Sequence, residues 1–544
     1  MDINNEKNSL SFEIPSTVQT IFCDKTLTAE IGQDFVLPDY QPEMRKLLRI
    51  TTSILPPSRF LGVGEAEFAG NAAFTVLYIG ADGSLYTAEL TAPYTFRVQM
   101  EENERSVGDR PIVMHADLFA DAVMPRLQAP RKLQIKCRLR ARIIGRGDEE
   151  TGMKTTDEHS ERETERLERT CLCARQLYGM GEPIEVTDEV AIPAGEGELR
   201  LINSRGTVQM TEASLTENAL VCRGELYWKI LYTHDRTESA MAVGEDPAAD
   251  NAKGSAEIET MTRRIPFSHT IELPLSHSTH GWQAMAYGTC TDISTRVEDG
   301  KILCAAAIVP EGMAIGNEKV VFTCDCFSTA RQSSCDMHAF AYDRAVTCVN
   351  GNVTAGGSLP LSEIGIPRDA APTDLFACAA IHSISCERGR LILSGECTYQ
   401  MLCRNPEGEF FSAEFRLPLR YEISDEGGHT GDAAYTAEAH AVMLEGHARL
   451  EGDHLTVDAE WAIAACITAQ EEIKSVSELH SGALLPQRDS TYILCYPDRG
   501  ETLWRIAKRY HSAIRPLITL NDIPGSADFD TPQSLEGIRF LMIE

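Results

Sequence analysis

Apolar and polar residues alternate along most of this chain, the period expected of half-buried β-strands. Three segments share a finer pattern. In Gly70–Tyr78 (GNAAFTVLY), Gly224–Tyr232 (GELYWKILY) and Gly395–Cys403 (GECTYQMLC), a glycine is followed seven residues later by leucine and then by an aromatic residue or cysteine. A polar turn with alternating flanks precedes such a segment, as in His382–Gly395 (HSISCERGRLILSG), so each reads as one strand of an antiparallel pair. A second piece recurs further on. MPRLQAPRKLQIKCRL from Met124, ISTRVEDGKILCAAA from Ile293 and MLEGHARLEGDHLTVDAEW from Met443 again place alternating residues around a Gly-, Asp- or Pro-containing turn. The three glycines stand 154 and 171 residues apart, too far for a solenoid unit and right for whole β domains.

The pattern changes near the C-terminus. Tyr492–Tyr510 (YILCYPDRGETLWRIAKRY) has a short β-like run, a Pro-Asp-Arg-Gly break, and then Leu503, Ile506, Ala507 and Tyr510 at helical spacing. The reading is therefore mainly β: three tandem β-rich, sandwich-like units followed by a small α/β (βααβ) module. The units span 18–146, 171–323 and 337–470, and the module spans 490–544. Residues 147–170 are almost free of apolar side chains and read as an acidic polar linker, helical from Glu161. Residues 235–260 read as a loop inserted in the second unit, and 471–489 as a second linker. Together these make an extended arm that ends in a small module.

Composition narrows the classes. The 544 residues hold no apolar run of the roughly 18 residues a membrane helix needs. Residues 1–20 (MDINNEKNSLSFEIPSTVQT) lack a basic segment followed by an apolar one, which predicts a cytoplasmic protein. In that setting the 17 cysteines read as reduced, buried side chains. Lys and Arg total 50 against 81 Asp and Glu, for a net charge of −31, and a chain that acidic repels nucleic acid. The terminal module is different: Arg505, Lys508, Arg509 and Arg515 gather on its helical stretch, as a solvated face or as one turned to a partner.

Catalytic signals are missing. The chain has no phosphate-binding G-x-x-x-x-G-K-[ST], no H-E-x-x-H, no G-x-S-x-G and no EF-hand loop, so a non-enzymatic protein without cofactor is expected. Cys324, Cys326, Cys335 and His338 (CDCFSTARQSSCDMH) could offer three thiolates and an imidazole to zinc, but Cys324 and Cys326 equally fit strand positions pointing inward. Tyr78, Tyr227, Trp228 and Tyr232 fall on strands as core or cross-strand partners. Trp504 lies off the stripe formed by Leu503, Ile506, Ala507 and Tyr510, which leaves it either exposed to a partner or packed on the small sheet.

Two stretches carry resemblances. Asp34–Ile50 (DFVLPDYQPEMRKLLRI), where Met44, Leu47 and Leu48 can form one face of a short helix, resembles the Pro-Asp-x-x-Pro-Asp element that opens the SPOCS domain, a β-rich module of spore-coat morphogenetic proteins. The later units keep traces at Ile192-Pro193 and Ile366-Pro367. Tyr492–Ile543 resembles a LysM domain. Gly500-Glu501-Thr502-Leu503 stands for the family's Gly-Asp-Thr-Leu, Ile506–Tyr510 for the first helix and Leu517–Asn521 for the second. One departure concerns the second helix, which begins with Ala513, Ile514, Arg515 and Pro516 instead of a hydroxyl cap and acids. A lost cap costs about 1 kcal/mol, and a cation in the first turn opposes the helix dipole.

SPOCS repeats followed by LysM imply a non-enzymatic morphogenetic scaffold of endospore envelope assembly, in the mother-cell cytoplasm at the forespore surface or spore coat. Its LysM domain would bind a spore-coat morphogenetic ATPase, and the partners implied for the chain are that ATPase or other coat proteins. The contact is placed on Trp504, Arg505, Ile514 and Arg515. The family also implies an alternative, binding of N-acetylglucosamine chains of peptidoglycan in a cleft formed by Asp498, Arg499, Gly500, Glu501, Thr502, Asn521, Asp522, Ile523 and Pro524.

Overall fold

A computed structural model describes residues 17–62, 64–100, 113–155, 163–195, 197–235, 257–273, 280–424, 433–486, 491–524 and 528–544. Most of the insertion expected at 235–260 lies outside the described residues.

The alternation folds as it reads. Between residues 91 and 98, Ala92, Tyr94, Phe96 and Val98 are buried, while Thr91, Pro93, Thr95 and Arg97 face out. Such strands build a first sandwich from β1 (Thr17–Val36), β2 (Met44–Ile54), β3 (Ser58–Gly62), β4 (Glu65–Gly80), β5 (Leu85–Gln99), β6 (Val113–Ala129) and β7 (Lys132–Glu150). One sheet has the order β1-β7-β6; in the other, β4 carries β2 and β3 on one side and β5 on the other. Their facing side chains form one core.

After the two-residue β8 (Lys154–Thr155), the order recurs. β9 (Thr164–Met180) and β10 (Ile184–Ala191) pair with β15 (Lys301–Ser328), which pairs with β14 (Gln283–Glu298). Opposite them lies β11 (Glu198–Leu215), β12 (Ala219–Asp235) and β13 (Ile258–Glu272). It recurs again with β16 (Arg331–Pro360), the single-turn α1 (Leu361–Ile364), β17 (Ala371–Glu387), β18 (Arg390–Arg404), β19 (Phe410–Glu422), β20 (Ala434–Glu451) and β21 (His454–Leu484). Here β16-β21-β20 faces β17-β18-β19, and the pair Cys378–Val442 joins the two sheets.

The correspondence reaches single residues. A β-bulge interrupts β2, β11 and β17 at Leu47/Arg49, Leu201/Asn203 and Pro372/Asp374 respectively. The residues after the bulges lie opposite Leu77, Leu231 and Leu402, the leucines of the repeated sequence pattern. Two of the repeated glycines mark close approach of backbones, since a Cβ on Gly224 would sit 2.4 Å from the Gln209 carbonyl and one on Gly395 2.3 Å from that of Ala380, while one on Gly70 would meet the Tyr94 hydroxyl at 2.5 Å. Pro93, Pro266 and Pro418 occupy matching positions on the edge strands β5, β13 and β19, where no ladder donor is needed.

The sandwiches do not form an arm. Leu77, Leu231 and Leu402 share one buried cluster with Ile79, Ile202 and Phe410, so the three units meet around a common centre. A second shared cluster joins Val18, Cys173, Val320, Phe322, Phe340 and Tyr342. The stretches read as linkers are part of this hub. β7 continues to Glu150, β9 is extended from Thr164 where a helix was expected, and β21 runs to Leu484 in register with β16. Their charged residues alternate with inward positions; Ser475, for instance, is buried and donates its hydroxyl to the Thr323 carbonyl at 3.1 Å. The helix expected at Met44–Leu48 is strand β2. Successive strand residues face opposite ways, Leu47 against the sandwich core and Leu48 against the shared centre.

The terminal module runs β22 (Ile493–Cys495), α2 (Leu503–Tyr510), α3 (Ile514–Leu520), a 3₁₀ turn at Pro532–Leu535, and β23 (Leu541–Ile543). The two strands pair antiparallel, giving the βααβ order.

Candidate partner interface on the terminal module

Helix α2 starts as its sequence dictates. Gly500 takes the left-handed conformation at φ 84°, and Thr502 caps the helix by accepting the Arg505 backbone N–H at 3.2 Å. Leu503, Ile506 and Ala507 face the module core with Ile514, Leu517, Leu541 and Ile543. Phe327 of β15 belongs to the same core, with Leu167 of β9 packed against it.

That contact decides where Trp504 lies. It is 3% exposed, and neither exposed nor packed on the small sheet alone: its ring meets Phe327 edge-on at 5.1 Å, and its indole N–H donates to Asp325 Oδ2 at 2.8 Å. Lys508 Nζ reaches Asp325 Oδ1 at 2.6 Å, His511 Nδ1 lies 2.9 Å from the Ser328 carbonyl, and Arg169 pairs with Asp530 at 3.2 Å. The module is therefore docked on the β9–β15 ribbon. Of the four residues expected at a partner contact, Arg505 and Arg515 are exposed, whereas Trp504 and Ile514 are buried. The helical wheel of α2 misplaced Trp504 because one helix carries no information about a second domain covering it.

The uncapped start of α3 is explained by the same docking. Ala513 offers no side-chain cap, but the Glu165 carboxylate of β9 lies near the Ile514 N–H and Arg515, both of which favour its charged form. Burial raises the Glu165 pKa, and the N–H and the guanidinium pull against that rise. A carboxylate from another domain thus stands where the sequence lacks its own cap and acids. Glu165→Ala is expected to weaken the start of α3 by about 1 kcal/mol. The measurement is hydrogen exchange of residues 514–520, and unchanged protection there would refute the role.

The alternative cleft is divided. Asp498, Arg499, Gly500, Asp522 and Pro524 are exposed. Glu501 accepts from the Asp498 N–H at 3.0 Å and pairs with Arg509 at 2.8 Å, Thr502 is the cap, and Ile523 is buried. Asn521 is structural: its amide donates to the carbonyls of Leu517 and Met542 at 2.8 Å each and accepts from the Met542 N–H at 2.7 Å, tying α3 to β23.

The proposed zinc ligands are not brought together as a set. Cys326 and Cys335 face each other with sulfurs 3.0 Å apart. Cys324 falls at a bulge and points its thiol to the Phe322 carbonyl, and His338 pairs with Glu149 at 3.1 Å. The Cys326 thiol donates to Cys335, which holds Cys335 down to about 7 and pushes Cys326 up; Lys508 helps lower Cys335. Asp336, Glu478 and His480 do converge near this pair, on an exposed edge, and sequence spacing gave no hint of them.

A second polar region lies between the sandwiches. His115 and Arg146 of the first both pair with Glu438 of the third, His115 at 2.8 Å. His115 stacks on Tyr178, which bonds Glu311, and Tyr287 stacks on His440 with ring centres 3.6 Å apart. Burial opposes charge on both members of the ion pair, but Glu438 overcomes it for His115, which is raised, and Arg146 together with His115 overcomes it for Glu438, which is held well below the usual carboxylate range. The signs give the pH dependence. The Glu438 contribution is lost as pH falls below 4.5, and the His115 contribution fades as pH rises past 6.5 through its raised folded value. Stability should therefore fall as pH rises past 6.5, and His115→Gln should flatten that limb; parallel urea titrations of both proteins check it.

Tyr78, Tyr227, Trp228 and Tyr232 are all buried, as core residues or at contacts between sandwiches. Among the described residues no helix is long and apolar enough to cross a membrane. Comparison with curated proteins and with solved structures finds no match. One family model does match, and it covers β11 to the start of β15: residues 199–304 are similar to the SipL, SPOCS domain, which makes this β-rich chain SipL-like over that segment.

Proposed function

We propose that this chain is a non-enzymatic scaffold of endospore envelope assembly. In this reading all three sandwiches are SPOCS-type repeats, and the terminal βααβ module is a LysM-type domain that binds a spore-coat morphogenetic ATPase at the forespore surface, from the mother-cell cytoplasm. The observation that carries the reading is the SPOCS match in the second sandwich, combined with the same strand order and bulges in the other two. The exposed Arg505 and Arg515 form the accessible part of the contact, Trp504 joins it when the module lifts from β15, and Ile514 supports it from the module core. Aromatic and Arg residues are the types that dominate interface energies.

A second reading is binding of peptidoglycan glycan chains. It is favoured by the exposure of Asp498, Arg499, Gly500, Asp522 and Pro524 while Trp504 and Ile514 are covered. Binding of the purified ATPase by the full chain, beside sedimentation with purified peptidoglycan, separates the two. Arg505→Glu with Arg515→Glu should weaken capture of the ATPase and leave sedimentation unchanged. Cosedimentation that is lost on changing Arg499 and Asp522, with no capture of the ATPase, would transfer the function to the glycan cleft.

A further inference from the structure

Four charged side chains meet where the sandwiches adjoin. Arg49 comes from the first, Arg205 and Lys229 from neighbouring positions on β11 and β12 of the second, and Asp374 from the third. Asp374 lies 2.7 Å from Arg49, 3.0 Å from Arg205 and 2.7 Å from Lys229. Arg205 also donates to the Leu375 carbonyl at 2.7 Å. The side chains of Arg49 and Asp374 are 1% and 2% exposed, and those of Arg205 and Lys229 only about a fifth.

The charges do not balance. Three cations surround one carboxylate, and Asp374 is the one carboxylate among the groups acting most strongly on Arg205 and Lys229. Burial pushes both cations toward their neutral forms, and Arg49 adds repulsion. An excess of like charge removed from water is costly unless a counter-charge is supplied. That excess is more unusual in a chain of net charge −31. Arg49 Nη1 is also buried without a hydrogen-bond partner in the protein.

Lys229 and Arg205 open onto a cavity of about 760 Å³ between the three sandwiches. Apolar wall is supplied by Ile50, Phe376, Val442 and Ile463. The cavity's acidic residues are mostly engaged: Asp121 with Arg140, Glu396 with Arg416, Glu311 with Tyr178, and Asp117 beside His440. They would repel a polyanion, yet leave one cationic wall for a single anionic group.

We propose that this cavity binds a small organic anion, whose carboxylate or phosphate group is held between Arg205 and Lys229 and whose remainder lies along the apolar wall. The ligand would join groups from all three sandwiches at their centre.

The test is calorimetric titration of the full chain with inorganic phosphate and, separately, with malonate, at ionic strength matched by sodium chloride. Saturable binding of one molecule per chain is expected for at least one probe, and the preferred probe tells phosphate from carboxylate. Lys229→Met keeps the Arg49 and Arg205 contacts to Asp374 and should weaken binding by about tenfold or more, as loss of a charged hydrogen bond does. Cys378→Trp, on the cavity wall beside Arg205, changes none of the four charges and should abolish binding by blocking the space in front of that guanidinium, which keeps the test decisive if Lys229→Met fails to fold. No saturable binding of either probe to the unaltered chain overturns the proposal. So does binding that survives unchanged in folded Lys229→Met or Cys378→Trp.

Discussion

Asp374→Asn is expected to destabilise the whole protein by about 3 to 5 kcal/mol, the usual result of removing one partner from a buried ion cluster. The carboxylate accepts from three cations and is the only anion in the group, so its loss leaves Arg49, Arg205 and Lys229 facing one another. Arg49 suffers most, since its side chain is 1% exposed and cannot turn to water. Because the four residues come from three sandwiches, the loss should appear as looser association of the units and not as failure of any one core. Urea titration followed by circular dichroism should show a lower midpoint, with a broadened transition if the sandwiches separate before they unfold. Lys229→Met is the control. Removing a cation from an over-charged site should cost far less than removing the carboxylate, and a double change of Lys229 and Asp374 should be less harmful than the two single changes summed. A cost below about 1 kcal/mol for Asp374→Asn would mean that water reaches the cluster and that the charge imbalance has little effect.

The repeated Gly-to-Leu pattern was legible because both strand period and spacing survive in the sequence. Its meaning was only partly so. GELYWKILY is nearly continuous in apolar residues because β12 is covered on both faces: Leu226, Trp228, Ile230 and Tyr232 fill the sandwich, while Tyr227 and Leu231 face the other units. Two-sided burial of that kind was visible as a loss of alternation. What it was buried against was not, since no local pattern encodes the meeting of three sandwiches. The polar segments misled for the same reason. A stretch such as Thr164–Thr170 is mostly charged, yet Leu167 packs against the terminal module and the backbone pairs with β15. At the candidate interface, the weak start of α3 could be recognised as an anomaly from Ala513 and Arg515. Its remedy, Glu165, lies in another domain and carries no local mark.

The second large effect is expected from Asp325→Lys. Asp325 is the hinge of the docking contact, accepting from the Trp504 indole and pairing with Lys508, and a lysine there would confront Lys508 and leave the indole without its acceptor. The module should then detach while remaining folded around Leu503, Ile506, Leu517 and Leu541. Trp504 provides the readout. Trp228 and Trp461 are fully buried in sandwich cores, so in a Trp282→Phe background the change on release should come from Trp504 alone, as red-shifted emission and easier acrylamide quenching. Emission and quenching identical to the unaltered protein would sink the docking contact. Affinity for the proposed ATPase partner then tests where its site would lie. If the partner needs Trp504 and Ile514, the docked state competes with it, and docking favoured by about 2 kcal/mol would reduce apparent affinity some thirtyfold; Asp325→Lys should restore most of that. If affinity instead falls, the partner reads a surface shared by the module and β15, and the docked form is the competent one. If affinity is unchanged while Trp504 is freed, the buried pair plays no part, and the contact rests on the exposed side of the module that carries Arg505 and Arg515.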